Sequence, residues 1–243
     1  MSTKMQHKFE RLEKIIASDS LKTLNQKTVL VIGCGGVGGY VIESLTRSGI
    51  GTLIIVDYDK IDITNINRQI IALDSTIGKY KVDVFEDRIK DINRSCNVIK
   101  INEFITKDNL DNLFNYEIDF FIDACDTVSV KKEIIKQCLK RNIDFISCMG
   151  TGNKLDPSKL EITDIRKTVN DPLARIIRKY IKDEKINKKV MVLSSTELPI
   201  KTGDITPGSS AFVPASAGLL IASYIVKKMI NKNWFLVESV FLY

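Results

Sequence analysis

A β-branched run, Thr28-Val29-Leu30-Val31-Ile32, stops abruptly at a glycine cluster, Gly33-Cys34-Gly35-Gly36-Val37-Gly38-Gly39. A strand that ends in such a loop and continues as a helix is the opening of a nucleotide-binding α/β unit. Glycines let the backbone approach a phosphate, and the helix start supplies unpaired N–H groups with a partial positive charge. The later segments keep the rhythm. Gly38 to Ser48 reads as a helix, 52–56 as a strand closing on Asp57, 79–92 as a helix, 97–101 and 118–123 as strands, 128–141 as a helix and 143–147 as a strand. Strands alternating with helices imply parallel βαβ units, hence a Rossmann-like, doubly wound, mainly parallel sheet.

The pattern changes after Gly150. Asp171 followed by Pro172 starts a helix running to about Lys185, with Asp as N-cap and Pro in the first turn. A strand over 189–194, a loop over 195–210, a helix over 215–231 and an apolar, strand-like tail complete the chain. The expectation is one α/β domain over 1–243 with an inserted crossover segment at about 150–212. Residues 5–24 read as a further helix, with Phe9, Leu12, Ile15 and Ile16 on one side.

Composition narrows the chemistry. Hydrophobic residues make up 44% of the 243 and charged residues 27%, enough for an ordinary packed core. The net charge of +6 permits an anionic partner without requiring one. Residues 1–14 are polar and charged, unlike a secretory signal, and the apolar stretch from Ala211 to Val226 is shorter than the roughly 20 residues of a membrane span. It reads as a buried core helix, with no membrane partner, and the cytoplasm is the expected location. The five cysteines (Cys34, Cys96, Cys125, Cys138, Cys148) form no C-x-x-C pair and read as small buried side chains. The one histidine, His7, lies in a polar N-terminal stretch, which sets aside Ser-His-Asp and Cys-His mechanisms.

The glycine loop alone suits a dehydrogenase as well as an ATP enzyme, and Asp57 at the second strand end suits ribose hydroxyls in either. The residues beyond Asp57 separate the two. Asp57 and Asp59, then TNINRQ over 64–69, then Lys79 and Lys81, then Asp123 and Asp126 supply cations and carboxylates at successive strand ends. Phosphoryl or nucleotidyl transfer needs such positive groups and a metal to hold a triphosphate while charge develops.

This ordered set (G-x-G-G-x-G, D-x-D, N-x-x-R-Q, a downstream lysine, D-x-x-D) resembles the ubiquitin-activating-enzyme-like adenylyltransferases, over residues 8 to about 150. A narrower similarity, to the bacterial tRNA threonylcarbamoyladenosine dehydratases, rests on TNINRQIIAL at 64–73, LDPSKLEITDI at 155–165, NDPLA at 170–174 and STE at 195–197. It implies ATP-dependent cyclisation of threonylcarbamoyladenosine at position 37 of tRNA, through adenylation of the threonine carboxylate. It also implies that Gly33, Gly35, Gly36 and Gly38 line the phosphates and Asp57 the ribose, with Asp59 beside it. Asn65, Arg68 and Lys81 would hold the triphosphate with Gln69 nearby, and Asp126 would ligate Mg²⁺. Arg11 would reach into the partner's site of a homodimer. A sulfur- or redox-relay partner is left open. The alternative, activation of a ubiquitin-like sulfur carrier, lacks the zinc-binding cysteine pairs common in those enzymes, and no cysteine follows Gly150 to accept a thioester.

For tRNA, Arg175, Arg178, Lys179, Lys182 and Lys185 recur at helical spacing opposite Leu173, Ile176, Ile177 and Ile181. Lys131, Lys132, Lys136, Lys140 and Arg141 form a second candidate surface. A solvated helix face explains either pattern equally well. Asp123 reads as structural, at the end of a buried strand.

Overall fold

A computed structural model describes residues 7–204 and 206–230. Seven strands form one sheet in the order β3-β2-β1-β4-β5-β7-β6. They are β1 (Thr28–Ile32), β2 (Thr52–Val56), β3 (Asn97–Ile101), β4 (Phe120–Asp123), β5 (Asp144–Cys148), β6 (Leu160–Asp164) and β7 (Met191–Ser195). All neighbouring pairs are parallel except β6 on β7, which is antiparallel and forms one edge. The sheet is therefore doubly wound and mainly parallel, as the strand–helix alternation implies. The chain leaves β5, makes the edge strand β6, and returns through helix α6 (Pro172–Asp183) to place β7 between them.

Central strands are apolar on both faces because both are covered. Val29, Val31, Leu53, Ile55, Phe120 and Ile122 pack in one core with α3 (Gly38–Arg47), α4 (Lys81–Ile92) and α7 (Phe212–Ile230). Leu30, Ile32, Ile54, Val56 and Phe121 point the other way, into a second core with α5 (Val128–Arg141) and α6.

The N-terminal segment is not one helix. Ala17, at φ 66°, separates α1 (Glu10–Ile16) from α2 (Ser18–Asn25). Within α1 the expected apolar side is only partly buried: Ile16 is buried while Ile15 is 68% exposed. The strand β6 within the crossover is a second departure. The α6 helix ends at Asp183 because Lys185 takes a left-handed φ of 52° just beyond it. The apolar tail after Ile230 lies outside the described residues.

Helix α7 begins at Phe212, with Pro214 in its first turn where no helical N–H is lost. Its 19 residues are long and apolar enough to cross a membrane by composition, but its buried side, Val213, Ala217, Ile221 and Ile225, packs into the sheet's core. Gly218 permits the contact with α3: a Cβ there would lie 2.5 Å from the Val37 carbonyl oxygen and 2.7 Å from Tyr40 Cβ. Backbone cannot yield as a flexible side chain would. Gly218→Ala is therefore expected to destabilise the fold by about 1–3 kcal/mol, the usual cost of overpacking. Urea unfolding measures this, and a loss below about 0.5 kcal/mol would show α7 free to slide.

Candidate active site

Strand order turns at β1, from which β2 and β3 extend one way and β4 and β5 the other. Ligand crevices form at such a switch, outside the carboxyl ends of the strands. Here a cleft of about 480 Å³ opens, lined by Gly33, Gly35, Gly36, Asp57, Asp59, Asn65, Arg68, Gln69, Lys81 and Asp126 among others. Residues from every element of the sequence pattern thus meet in one place.

The glycines divide by role. Gly33 has φ +89°, and a Cβ on it would lie 2.6 Å from the Ala124 carbonyl oxygen, so the loops after β1 and β4 touch there. Gly35 and Gly36 face the cleft, near Gln69 Nε2 and the Arg68 methylenes respectively. Gly38, expected to line the phosphates, does not line the cleft. Its missing side chain lets α3 start against Gly33, whose carbonyl oxygen a Cβ would meet at 1.8 Å.

Asp57 pins this loop. Its carboxylate accepts the Cys34 N–H at 2.7 Å and the Asp59 N–H at 2.9 Å. Burial raises the Asp57 carboxyl above its usual range, against the opposing effects of Lys81 and these N–H donors. Lys81 is not a solvated charge: its side chain is 6% exposed. Its ammonium donates to Asp59 at 2.6 Å and lies 3.9 Å from Asp57. Arg68 donates to the Thr64 carbonyl at 2.8 Å and the Asn67 carboxamide at 2.9 Å, and pairs with no carboxylate among the described residues. Its charge is available to an anion. Asn65 closes a capping box with Asp62, which shapes the turn carrying Arg68. Gln69 is buried, and its Oε1 has no protein partner among the described residues. Asp126 is exposed at the cleft, with one long contact, 3.4 Å, from the Thr127 hydroxyl.

Several cleft residues are not marked by any motif, and two of them are aromatic. Tyr58 and Phe104 meet edge-to-face with centroids 4.7 Å apart at the rim. Their only signal is positional, since each lies shortly beyond the end of a strand. Arg11 is exposed on α1 and does not line the cleft. His7 also lies away from the cleft, 3.0 Å from Glu13.

The cleft holds no activated thiol among the described residues. Cys125 is the cysteine that lines the cleft, and burial together with the Asp123 charge pushes its thiol far up. Burial pushes Cys148 up to about 12. Both stay protonated and non-nucleophilic near neutrality.

The two basic surfaces are smaller than their spacing implies. Lys131 is fully buried against Asp123 and is no part of any RNA-facing surface; Lys132 lies over the Tyr180 ring, and Arg141 pairs with Asp111. On α6, Arg178 is committed to the Thr168 carbonyl and hydroxyl. Ile176, expected inside, is 43% exposed. Arg175, Lys179 and Lys182 are exposed and share a face at helical spacing, with no ion pair among the described residues. Lys185 lies past the helix end.

Comparison with known proteins agrees with this architecture. The ThiF family model matches residues 9–240. A Bacillus subtilis tRNA threonylcarbamoyladenosine dehydratase is 42% identical, covering 93% of this chain and 96% of the relative. The crystal structure of Escherichia coli tRNA N6-threonylcarbamoyladenosine dehydratase, TcdA, in complex with ATP superposes with a TM-score of 0.87 at 33% identity, over 92% of this chain and 93% of that one. The Escherichia coli molybdopterin-synthase adenylyltransferase is more distant, 28% identical over 53% of this chain and 51% of its own length. Sequence, fold and cleft agree, and the chain belongs to the ThiF family.

Proposed function

We propose that this chain is an ATP-dependent tRNA threonylcarbamoyladenosine dehydratase. The observation that carries the reading is convergence: Gly35, Gly36, Asp57, Asn65, Arg68, Lys81 and Asp126, scattered over the first half of the chain, line one cleft at the strand-order switch. The relatives that match nearly the full chain supply the substrate class. For the sulfur-carrier alternative, the Escherichia coli molybdopterin-synthase adenylyltransferase matches about half of this chain.

The threonine carboxylate of the modified adenosine attacks the α-phosphorus of ATP, and pyrophosphate leaves. The carbamoyl group then attacks the activated carbonyl carbon, the ring closes and AMP leaves. The oxygen lost as water overall departs on AMP. Gly35 and Gly36 let the triphosphate approach the loop, Asp57 faces the ribose with Asp59 beside it, and Arg68 with Lys81 balances charge on the phosphates while Asn65 and Gln69 shape that wall.

Charge arithmetic within the cleft supports a metal. Asp57, Asp59, Asp62, Glu103 and Asp126 face Lys60, Arg68 and Lys81, five carboxylates against three cations, a formal −2. A polyanionic nucleotide gains little there unaided. Asp126 fits Mg²⁺ well: it is a hard oxygen donor, exposed and nearly unbonded, and Mg²⁺ is commonly held by one or two carboxylates plus substrate phosphates. Bound Mg²⁺ would neutralise charge on the triphosphate. The same deficit favours an added cation from a second subunit, and Arg11, remote from its own cleft, suits that role in a homodimer. Substrates of this kind suit work in the cytoplasm.

Purified protein with Mg-ATP and tRNA bearing threonylcarbamoyladenosine should lose one water from the nucleoside with one AMP formed, by nucleoside mass spectrometry. With ¹⁸O in the threonine carboxylate, the label should appear in AMP. An unchanged nucleoside, with pyrophosphate exchange dependent on a sulfur-carrier protein, would transfer the assignment to the alternative. Arg11→Ala and Arg68→Ala should each cost about 10²–10³ in turnover. Mixed after subunit exchange they should recover about a quarter of wild-type activity, since one of two sites in a mixed dimer is intact. No recovery would remove Arg11 from the partner's site. Charge reversal at Arg175, Lys179 and Lys182 should weaken tRNA binding and reduce its salt slope by about three between roughly 50 and 200 mM salt. An unchanged slope would make that face merely solvated.

A further inference from the structure

Behind the cleft wall lies an ion pair that the adenylation chemistry does not use. Asp123 and Lys131 both have side chains of 0% exposure. Lys131 Nζ donates to both Asp123 oxygens at 3.1 Å, to the Cys148 carbonyl at 2.8 Å and to Ser147 Oγ at 3.4 Å. Ser147 in turn donates to Asp123 Oδ2 at 2.5 Å. Asp123 Oδ1 also accepts the Cys125 N–H at 3.2 Å and its thiol at 3.0 Å.

Taking two charges out of water is costly, and apolar residues of similar volume generally hold a core equally well. What distinguishes this pair is where it pulls. It ties the end of β4, the end of β5 and the first turns of α5 to one point, and that point is the root of the loop 124–127. The loop's Ala124, Cys125, Asp126 and Thr127 form a wall of the cleft. Asp126 itself has almost no anchor of its own, only the 3.4 Å contact from Thr127. Its direction is therefore set by the backbone beneath it, and that backbone is bonded to Asp123 at Cys125.

We infer that Asp123, Lys131 and Ser147 are positioning residues, whose buried network aims the Asp126 carboxylate at the phosphate end of the cleft. The inference rests on the proposed role of Asp126 toward Mg²⁺-bound nucleotide. It assigns a purpose to the buried lysine that surface RNA binding cannot.

The experiment compares wild type with the double variant Asp123→Val/Lys131→Met, which removes both charges together so that neither is left buried alone. Thermal melting, binding of a fluorescent ATP analogue across a Mg²⁺ titration and in EDTA, and turnover are measured. The double variant should melt within a few degrees of wild type and bind nucleotide unchanged in EDTA. It should need about tenfold more Mg²⁺ for half-maximal binding, the usual loss when a ligand's supporting shell is removed. A folded double variant with the wild-type Mg²⁺ requirement would overturn the inference. Should it not fold, Ser147→Ala decides, since it deletes only one hydroxyl. A shift of about threefold in Mg²⁺ supports the network and no shift overturns it. Wild type that binds nucleotide with Mg²⁺ but leaves the modified tRNA untouched would sink the proposed function and leave the positioning role standing.

Discussion

The structure turns on the contact between two strand ends. At the tip of β1, the Gly33 N–H bonds to the Val56 carbonyl of β2 at 2.8 Å, while the Ile32 carbonyl accepts the Ala124 N–H beyond β4 at 2.9 Å. The chain is held on both sides up to the last residue of the strand and then released. Gly33 touches the Ala124 backbone at a distance no side chain would permit. Everything in the cleft is placed from that point: the glycine loop rises on one side, the loop bearing Asp126 on the other, and α3 begins at once because Gly38 can rest on Gly33.

Two buried lysines, each joined to aspartate, brace the halves of this fork. Lys81 joins Asp57 and Asp59 beneath the β2 side, and Lys131 joins Asp123 beneath the β4 side. They differ in exposure and so in what they are free to do. Asp59 remains 44% exposed and Lys81 opens on the cleft, which on the proposed function leaves this pair room to exchange partners with an anion. The Lys131 ammonium is enclosed and already bonded to Asp123, Ser147 and Cys148. One behaves as an electrostatic reserve, the other as a fixed joint.

Much of this is legible in the chain because parallel strands buried on both faces leave unbroken β-branched runs, and because their ends carry the functional side chains. Val29 to Ile32 and Leu53 to Val56 announce strands, and Gly33, Asp57 and Asp126 lie at or just beyond strand ends. Other features give no local signal. Ala17 adopts φ 66° with no glycine or asparagine to announce it, so the helix break depends on tertiary packing. The edge strand β6 has a weak apolar pattern and acquires its identity from pairing with β7, a segment about 30 residues later. Lys131 and Lys132 are adjacent and chemically identical, yet one is enclosed and the other half-exposed. Which faces inward depends on Asp123, contributed by a different element. Arg178 resembles its neighbours in sequence, and only the fold brings Thr168 within its reach.

The enclosed thiols have a consequence for how an activated group is handled. An acyl-adenylate is prone to hydrolysis, and one way to hold such a group before passing it onward is as a thioester on an accessible cysteine. In this chain the cysteines are confined to positions 34–148, and the one at the cleft is held protonated by its own surroundings. Among the described residues, the cleft offers no ionised thiol on which an activated carbonyl could wait. On the proposed function the intermediate is consumed where it is made, by an atom that arrives with the substrate, so fidelity depends on how quickly the substrate folds onto itself relative to the entry of water. On that reading the RNA supplies both the activated carbonyl and the nucleophile that consumes it, and the protein supplies the place where the two meet.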